Sequence, residues 1–315
     1  MATPEAHNWT DSAAAWPPLP LEEWKDTCET LHMWTQIVGQ VRLKLTPLVN
    51  HFWNCTLYVT PRGLTTSAIP YGSGIFEMRF DFLANALVID LSDGTTRRVQ
   101  LAPRTVSDFY GDVMNTLHGL GIQVKIVETP QEVPEADKIP FPDDTTHKSY
   151  DAAYVLRFWR ALAAAETVLQ EFRARFIGKC SPVHFFWGSF DLAVSRFSGR
   201  PATVKPGADK MTHEAYFLED SSVGFWPGSG NIKEPAFYAT TWPPPEGFER
   251  ADVRPAGTFY DPGFGIFLYP YEQMRTAPNP RKALLEFAQS AYEVGANLGH
   301  WDRAALERPP ERRGA

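Results

Sequence analysis

The sequence predicts an α+β fold of two similar halves, each an antiparallel β-meander with long helices on one face. Three observations predict it. Apolar residues recur at helical three-four spacing over Leu21–Leu45 and again over 155–176. Each stripe is followed by short β-branched and aromatic runs separated by glycine, proline or asparagine. The order of long helix, proline stop, strand, meander and short helix then occurs twice.

In chain order, residues 1–20, ending in WPPLP, read as a flexible lead-in whose Trp9 and Trp16 can pack on the body. The first half, 21–128, opens with a helix whose Trp24, Leu31, Trp34, Val38 and Val41 share a face and which Pro47 closes. Strands are expected at 52–60, 64–69, 76–82, 87–91 and 97–101, with a glycine turn at 72–74 and an Asp93-Gly94 hairpin. A second helix follows Thr105 or Ser107 and ends at 119–121, and a last strand is expected at 122–127. Residues 129–148, rich in Pro, Asp and Glu, read as a linker.

The second half, 149–302, repeats the pattern: a helix with Val155, Phe158, Leu162, Leu169 and Phe172 on one side, a strand from Val183 to Ser195, and further strands. Lys205–Asp209 is read as the loop that follows the first of these strands, and 280–298 as the closing helix. The charged tail 303–315 is expected to be disordered. The halves also share residues: 49–53, VNHFW, lies against 183–187, VHFFW, and one extra residue near Gly188 brings Leu57/Leu192 and Val59/Val194 into phase. Such an insertion beside glycine reads as a β-bulge within an internal duplication, the alternative being a chance likeness.

At 43 % hydrophobic and 13 % aromatic the chain is a folded one, and its net charge of −7 with no basic run argues against nucleic acid and anionic membranes as partners. The first 20 residues lack a basic start and apolar stretch, and Cys28, Cys55 and Cys180 are widely spaced, so a cytoplasmic protein with free thiols is expected.

The densest mix of rings and ionisable groups is 172–200, FRARFIGKCSPVHFFWGSFDLAVSRFSGR. His184 and Asp191 are seven apart on the expected strand, an odd separation that a bulge at Gly188 would turn to one side. A carboxylate near an imidazole fixes its tautomer for base chemistry, so His184, Asp191 and Lys179 are the catalytic candidates, a hydrogen-bonded core histidine being the bland alternative. Arg62 and Arg196 align in the duplication and could grip an anion together, or form separate surface ion pairs. Trp187, Trp226 and Trp242 are candidates to line a small-molecule pocket. A divalent metal would fall to His184, His213 and Glu214, although HExxH is left incomplete by Phe217. No serine elbow, phosphate loop or dinucleotide fingerprint is present.

The strings LHMWTQIVGQVRL and YVTPRGLTTSAIPYG, the 172–200 segment, and the FWPG and FYDP pieces resemble a family of bacterial proteins known only as domain of unknown function five-nine-nine-six, from about Leu21 to Trp301. The resemblance implies a soluble bacterial protein and no mechanism. Two functions follow from the residues themselves. One is an enzyme acting on a small polar organic substrate by acid–base or metal-assisted chemistry in a cleft of the second half. The other is a non-catalytic module holding an aromatic or anionic metabolite. The enzyme is preferred, because retaining ionisable groups among apolar neighbours is costly.

Overall fold

A long helix, α1 (Leu21–Leu45), runs through the centre of the molecule, which a computed structural model describes at residues 15–135, 138–204, 207–229 and 232–309. Trp9 of the lead-in, residues 205 and 206 of the expected loop, and 310–315 of the expected tail lie outside the described residues. Glu22 and Glu23 in the first turn of α1 and Arg42 and Lys44 in its last complement the helix dipole. Between Thr27 and Arg42 most of its residues are buried, including Gln36 and Gln40, so it is covered on all sides. Trp34 stacks on Phe109 and Tyr150 at 4.5 and 5.5 Å.

The first sheet contains β1 (Tyr58–Thr60), β2 (Gly63–Thr65), β3 (Ile69–Tyr71), β4 (Gly74–Asp81), β5 (Ala86–Leu91) and β6 (Thr96–Gln100). All pairings are antiparallel, in the order β1-β2-β4-β5-β6 with β3 also on β4. α2 (Val106–Gly119) follows, capped by the Thr105 hydroxyl, which accepts from the Asp108 amide. Residues 122–127 are not the expected strand. The Ile122 and Gln123 amides are taken by the Leu117 carbonyl and the Tyr71 hydroxyl, leaving no ladder to join.

The second half begins with α3 (Ala152–Ala174), N-capped by Asp151. Its sheet contains β7 (His184–Phe186), β8 (Asp191–Pro201), then after α4 (Lys210–Ala215) β9 (Leu218–Trp226), β10 (Ala236–Trp242), β11 (Phe259–Asp261) and β12 (Ile266–Pro270). The order is β7-β8-β9-β10-β12-β11, again antiparallel, and α5 (Tyr271–Arg275), α6 (Pro280–Leu298) and α7 (Arg303–Leu306) close the chain. The fold is therefore α+β with two similar halves, each a long helix and a six-stranded antiparallel sheet. Leu57 and Phe185 exchange both backbone hydrogen bonds, 2.9 and 2.8 Å, and so join the edges of the two sheets. One hydrophobic core runs through both halves.

Four further local expectations change. The run 183–195 is a hairpin rather than one bulged strand: β7 and β8 pair with Phe186 opposite Asp191, and Phe190 turns the chain at a φ of 61°. Residues 50–52 form a 3-10 turn with His51 and Phe52 at positive φ, so the VNHFW and VHFFW strings differ in local structure despite their likeness. Residues 303–309 dock rather than fray, with the Ile177 amide bonding the Leu306 carbonyl and Arg303 gripping Glu307. The expected linker also packs down, at Gln131 and Phe141. Phe141 is fully buried, and the Gln36 amide bonds both the amide and carbonyl of Gln131. Among the described residues no helix is long and apolar enough to cross a membrane.

Candidate functional site

Strand alternation and register divide the second sheet into two unlike faces. Leu192, Val194 and Arg196 of β8 share a face with Val223 and Phe225 of β9 and Phe237 and Ala239 of β10, and pack toward α3 and α6. The other face carries Asp191, Ser195 and Phe197 on β8, Asp220, Ser222 and Trp226 on β9, and Tyr238, Thr240 and Trp242 on β10. Polar and ionisable groups are concentrated there.

Asp191 is 6 % exposed and accepts hydrogen bonds from Ser189 Oγ and Tyr238 Oη, each at 2.5 Å. Burial raises its carboxyl above the ordinary range, and the two hydroxyls offset only part of that. Asp220 is 5 % exposed, accepts from Ser222 Oγ at 2.8 Å, and is pushed up to about 7 by burial. Ser195 Oγ lies 2.6 Å from Ser222 Oγ and extends that chain. Glu132, at the rim with a φ of 56°, is raised by crowding first and then by the charge of Asp191.

Tyr216 lies at the exposed border of this face, beside Trp242. Its phenol is raised by surrounding protein and then by the charges of Asp220, Glu132 and Asp191, although 43 % of the residue remains exposed. The Trp242 ring lies 5.3 Å from it, with an indole N–H that is buried and unpartnered. The arrangement is a carboxyl-rich, tyrosine-rich face with an open rim, suited to accepting hydrogen bonds and moving protons.

Tyr238 reaches Asp191 by lying across Gly224, where a Cβ would stand 2.5 Å from the phenol ring and 2.5 Å from the Leu192 carbonyl oxygen. Gly224→Ala is expected to displace Tyr238 from Asp191 and to cost about 2 kcal/mol through overpacking. Urea unfolding measures it; a loss below about 0.5 kcal/mol would mean the phenol is not held there.

The expected site residues scatter. His184 and Asp191 do share this face, because the hairpin places Asp191 opposite Phe186, but no hydrogen bond joins them. His184 is fully buried among Trp53, Tyr58 and Phe186 at 5.4 to 5.7 Å, both ring nitrogens lack partners, and burial lowers it to about 3. It is a neutral core residue. Arg196 points to the opposite face, stacked 3.4 Å over Phe172 and 4.3 Å over Tyr292, so it cannot grip a ligand beside Asp191. Arg62 is exposed in the turn after β1 and paired with Asp81 at 2.6 Å. The two arginines therefore form no shared clamp.

Trp187 donates to the Cys55 carbonyl at 2.7 Å and wedges against Gly39 of α1, a structural post rather than a pocket wall. Trp226 and Trp242 remain on the acidic face, Trp226 packed edge-on to Phe264 at 5.9 Å. Lys179 lies beside His51, 2.7 Å from its Nε2. The metal set is not assembled: His184 is sealed, His213 is exposed on α4, and Glu214 Oε1 accepts from the His51 amide at 3.3 Å. Among the described residues no three His, Cys, Asp or Glu side chains converge as metal ligands.

Asp220, Tyr216, Tyr238 and Glu132 are not among the site residues the sequence predicts. A signal for one was present: in LEDSSVGFW, alternation places Asp220, Ser222, Gly224 and Trp226 on one side. Glu132 carries no such signal, lying in the stretch read as a linker.

No curated protein matches this chain, and no solved structure does. A family model matches residues 16–308, nearly the whole length, and on that match the chain belongs to DUF5996, a family of unknown function.

Proposed function

We propose that this protein is an enzyme that moves protons on a small polar organic substrate, one bearing hydroxyl or amino groups, held against the acidic face of the second sheet. One observation carries the reading. Asp191 and Asp220 are almost fully buried on one face of the sheet and, among the described residues, accept side-chain hydrogen bonds from hydroxyls rather than from cations. Burying acids without cationic partners costs stability, and such groups cluster where chemistry needs them.

Asp220 is the proton-transferring group, because a carboxyl pushed to about 7 is half-ionised near neutrality. Asp191 with Tyr238 and Ser189 forms a hydrogen-bonded anchor, and Tyr216 and Trp242 supply ring surface. An anionic ligand loses its support, since both proposed arginines are engaged elsewhere. Metal assistance loses it too, because His184 is sealed and, among the described residues, His213 and Glu214 gain no third ligand. Free cysteines favour a reducing, cytoplasmic setting, and the shared element order of the halves favours an ancestral duplication.

The test is a thermal-shift screen of the purified chain against amines, amino alcohols and sugars, followed by NMR of each binder for conversion. At least one binder is expected to be turned over, and Asp220→Asn is expected to slow that turnover at least about a hundredfold with binding retained. Binding without turnover would replace the enzyme by a non-catalytic metabolite-binding module. No binder at all would end both readings.

A further inference from the structure

We propose that Lys179 is a nucleophilic amine that condenses reversibly with an apolar aldehyde or ketone, using His51 as its proton partner, at a second centre beside the acidic face. The geometry is specific. His51 Nδ1 lies 2.8 Å from the Ala215 carbonyl, which can only accept, so Nδ1 carries the proton and Nε2 presents a lone pair. Lys179 Nζ stands 2.7 Å from that Nε2. It also lies 5.4, 5.0 and 5.3 Å from the ring centres of Trp53, Phe197 and Phe217.

The backbone is strained to achieve this. His51 and Phe52 both hold left-handed φ, 58° and 57°, a conformation that costs energy for residues other than glycine. The Glu214 carboxylate and the Ala215 carbonyl hold the histidine in place from α4. Lys179 is half-buried and hydrogen-bonded to an imidazole instead of a carboxylate. Burial keeps its amine below the ordinary lysine range, and the charge of Glu214 offsets this only in part. Phe217, stacked 4.5 Å from His51, is 36 % exposed, and Met211 is 43 % exposed on α4. An apolar carbonyl compound could cover that surface while offering its carbon to the amine.

The step balances without an oxidant. The neutral amine gives its lone pair to the carbonyl carbon, a C–N bond forms, and the π electrons move to oxygen. His51 Nε2 takes one proton from nitrogen and returns it to oxygen, giving a carbinolamine. A second transfer of the same kind converts the hydroxyl to water, which leaves as the C=N bond forms.

The experiment treats the full chain with benzaldehyde and cyanoborohydride near neutral pH and maps reduced adducts by mass spectrometry. Lys179 is expected to be labelled at least about tenfold faster than any other lysine, and His51→Gln to slow it at least about fivefold, with circular dichroism confirming the fold. Labelling of Lys179 no faster than the exposed Lys25 overturns the proposal, and that comparison needs only the wild-type chain. An unchanged rate in folded His51→Gln overturns the role of the imidazole. Neither outcome depends on turnover, so this proposal and the acid–base reading fail separately.

Discussion

Replacing Asp220 with asparagine is expected to stabilise the protein at alkaline pH while slowing the proposed proton transfer. The carboxyl moves from an ordinary 3.8 in the unfolded chain to about 7 in the folded one. Between those values the folded state keeps a proton that the unfolded state has released, so stability is highest below the lower value and falls as pH rises toward the upper one. A shift of that size corresponds to on the order of 4 kcal/mol. The advantage of Asp220→Asn over wild type should therefore grow by about 3 to 4 kcal/mol from about pH 4 to about pH 8. Urea unfolding at several pH values measures it. A difference that stays flat within about 1 kcal/mol would show that the acid ionises as an exposed one does, and the electrostatic case for the site would collapse.

His184→Phe is expected to gain stability on the acid side and to leave the proposed turnover unchanged. Among the described residues the imidazole has no hydrogen-bond partner; it sits in an aromatic enclosure and is lowered to about 3. In the unfolded chain it takes a proton below its ordinary value of 6.5, whereas in the folded protein it does not until far lower. Stability from this group is thus complete above that ordinary value and is lost as pH falls. At about pH 5 the loss is about 2 kcal/mol, which phenylalanine abolishes. The advantage of the variant should grow by that amount between about pH 8 and about pH 5, even after any overpacking cost common to both. A more than tenfold loss of turnover would instead return His184 to the chemistry. Half-buried His32, lowered to about 4 and stacked 4.8 Å from Phe190, adds to the acid limb in wild type and cancels in the comparison.

The helices were legible because their period is local. The stripe through Trp24, Leu31, Trp34, Val38 and Val41 marks α1, and Thr105 marks where α2 begins. The hairpin at 187–190 was not legible in the same way. Nothing in HFFWGSFDLAV states that the chain reverses instead of bulging, because that depends on β8 finding β9 on its far side. The same reversal decided which groups could meet. Asp191 joined Tyr238, some 47 residues away, while Arg196 turned under the sheet to stack on α3 and α6.

What the sequence determined by itself is the class of fold, the two halves, and the presence of acids and rings in strands, all of which follow from spacing along a single segment. The tertiary structure alone decided which of those side chains are sealed, which face each other, and which keep a path to solvent. Desolvation and cross-strand pairing are properties of neighbours distant in the chain, and they set whether an imidazole is inert or a carboxyl is poised.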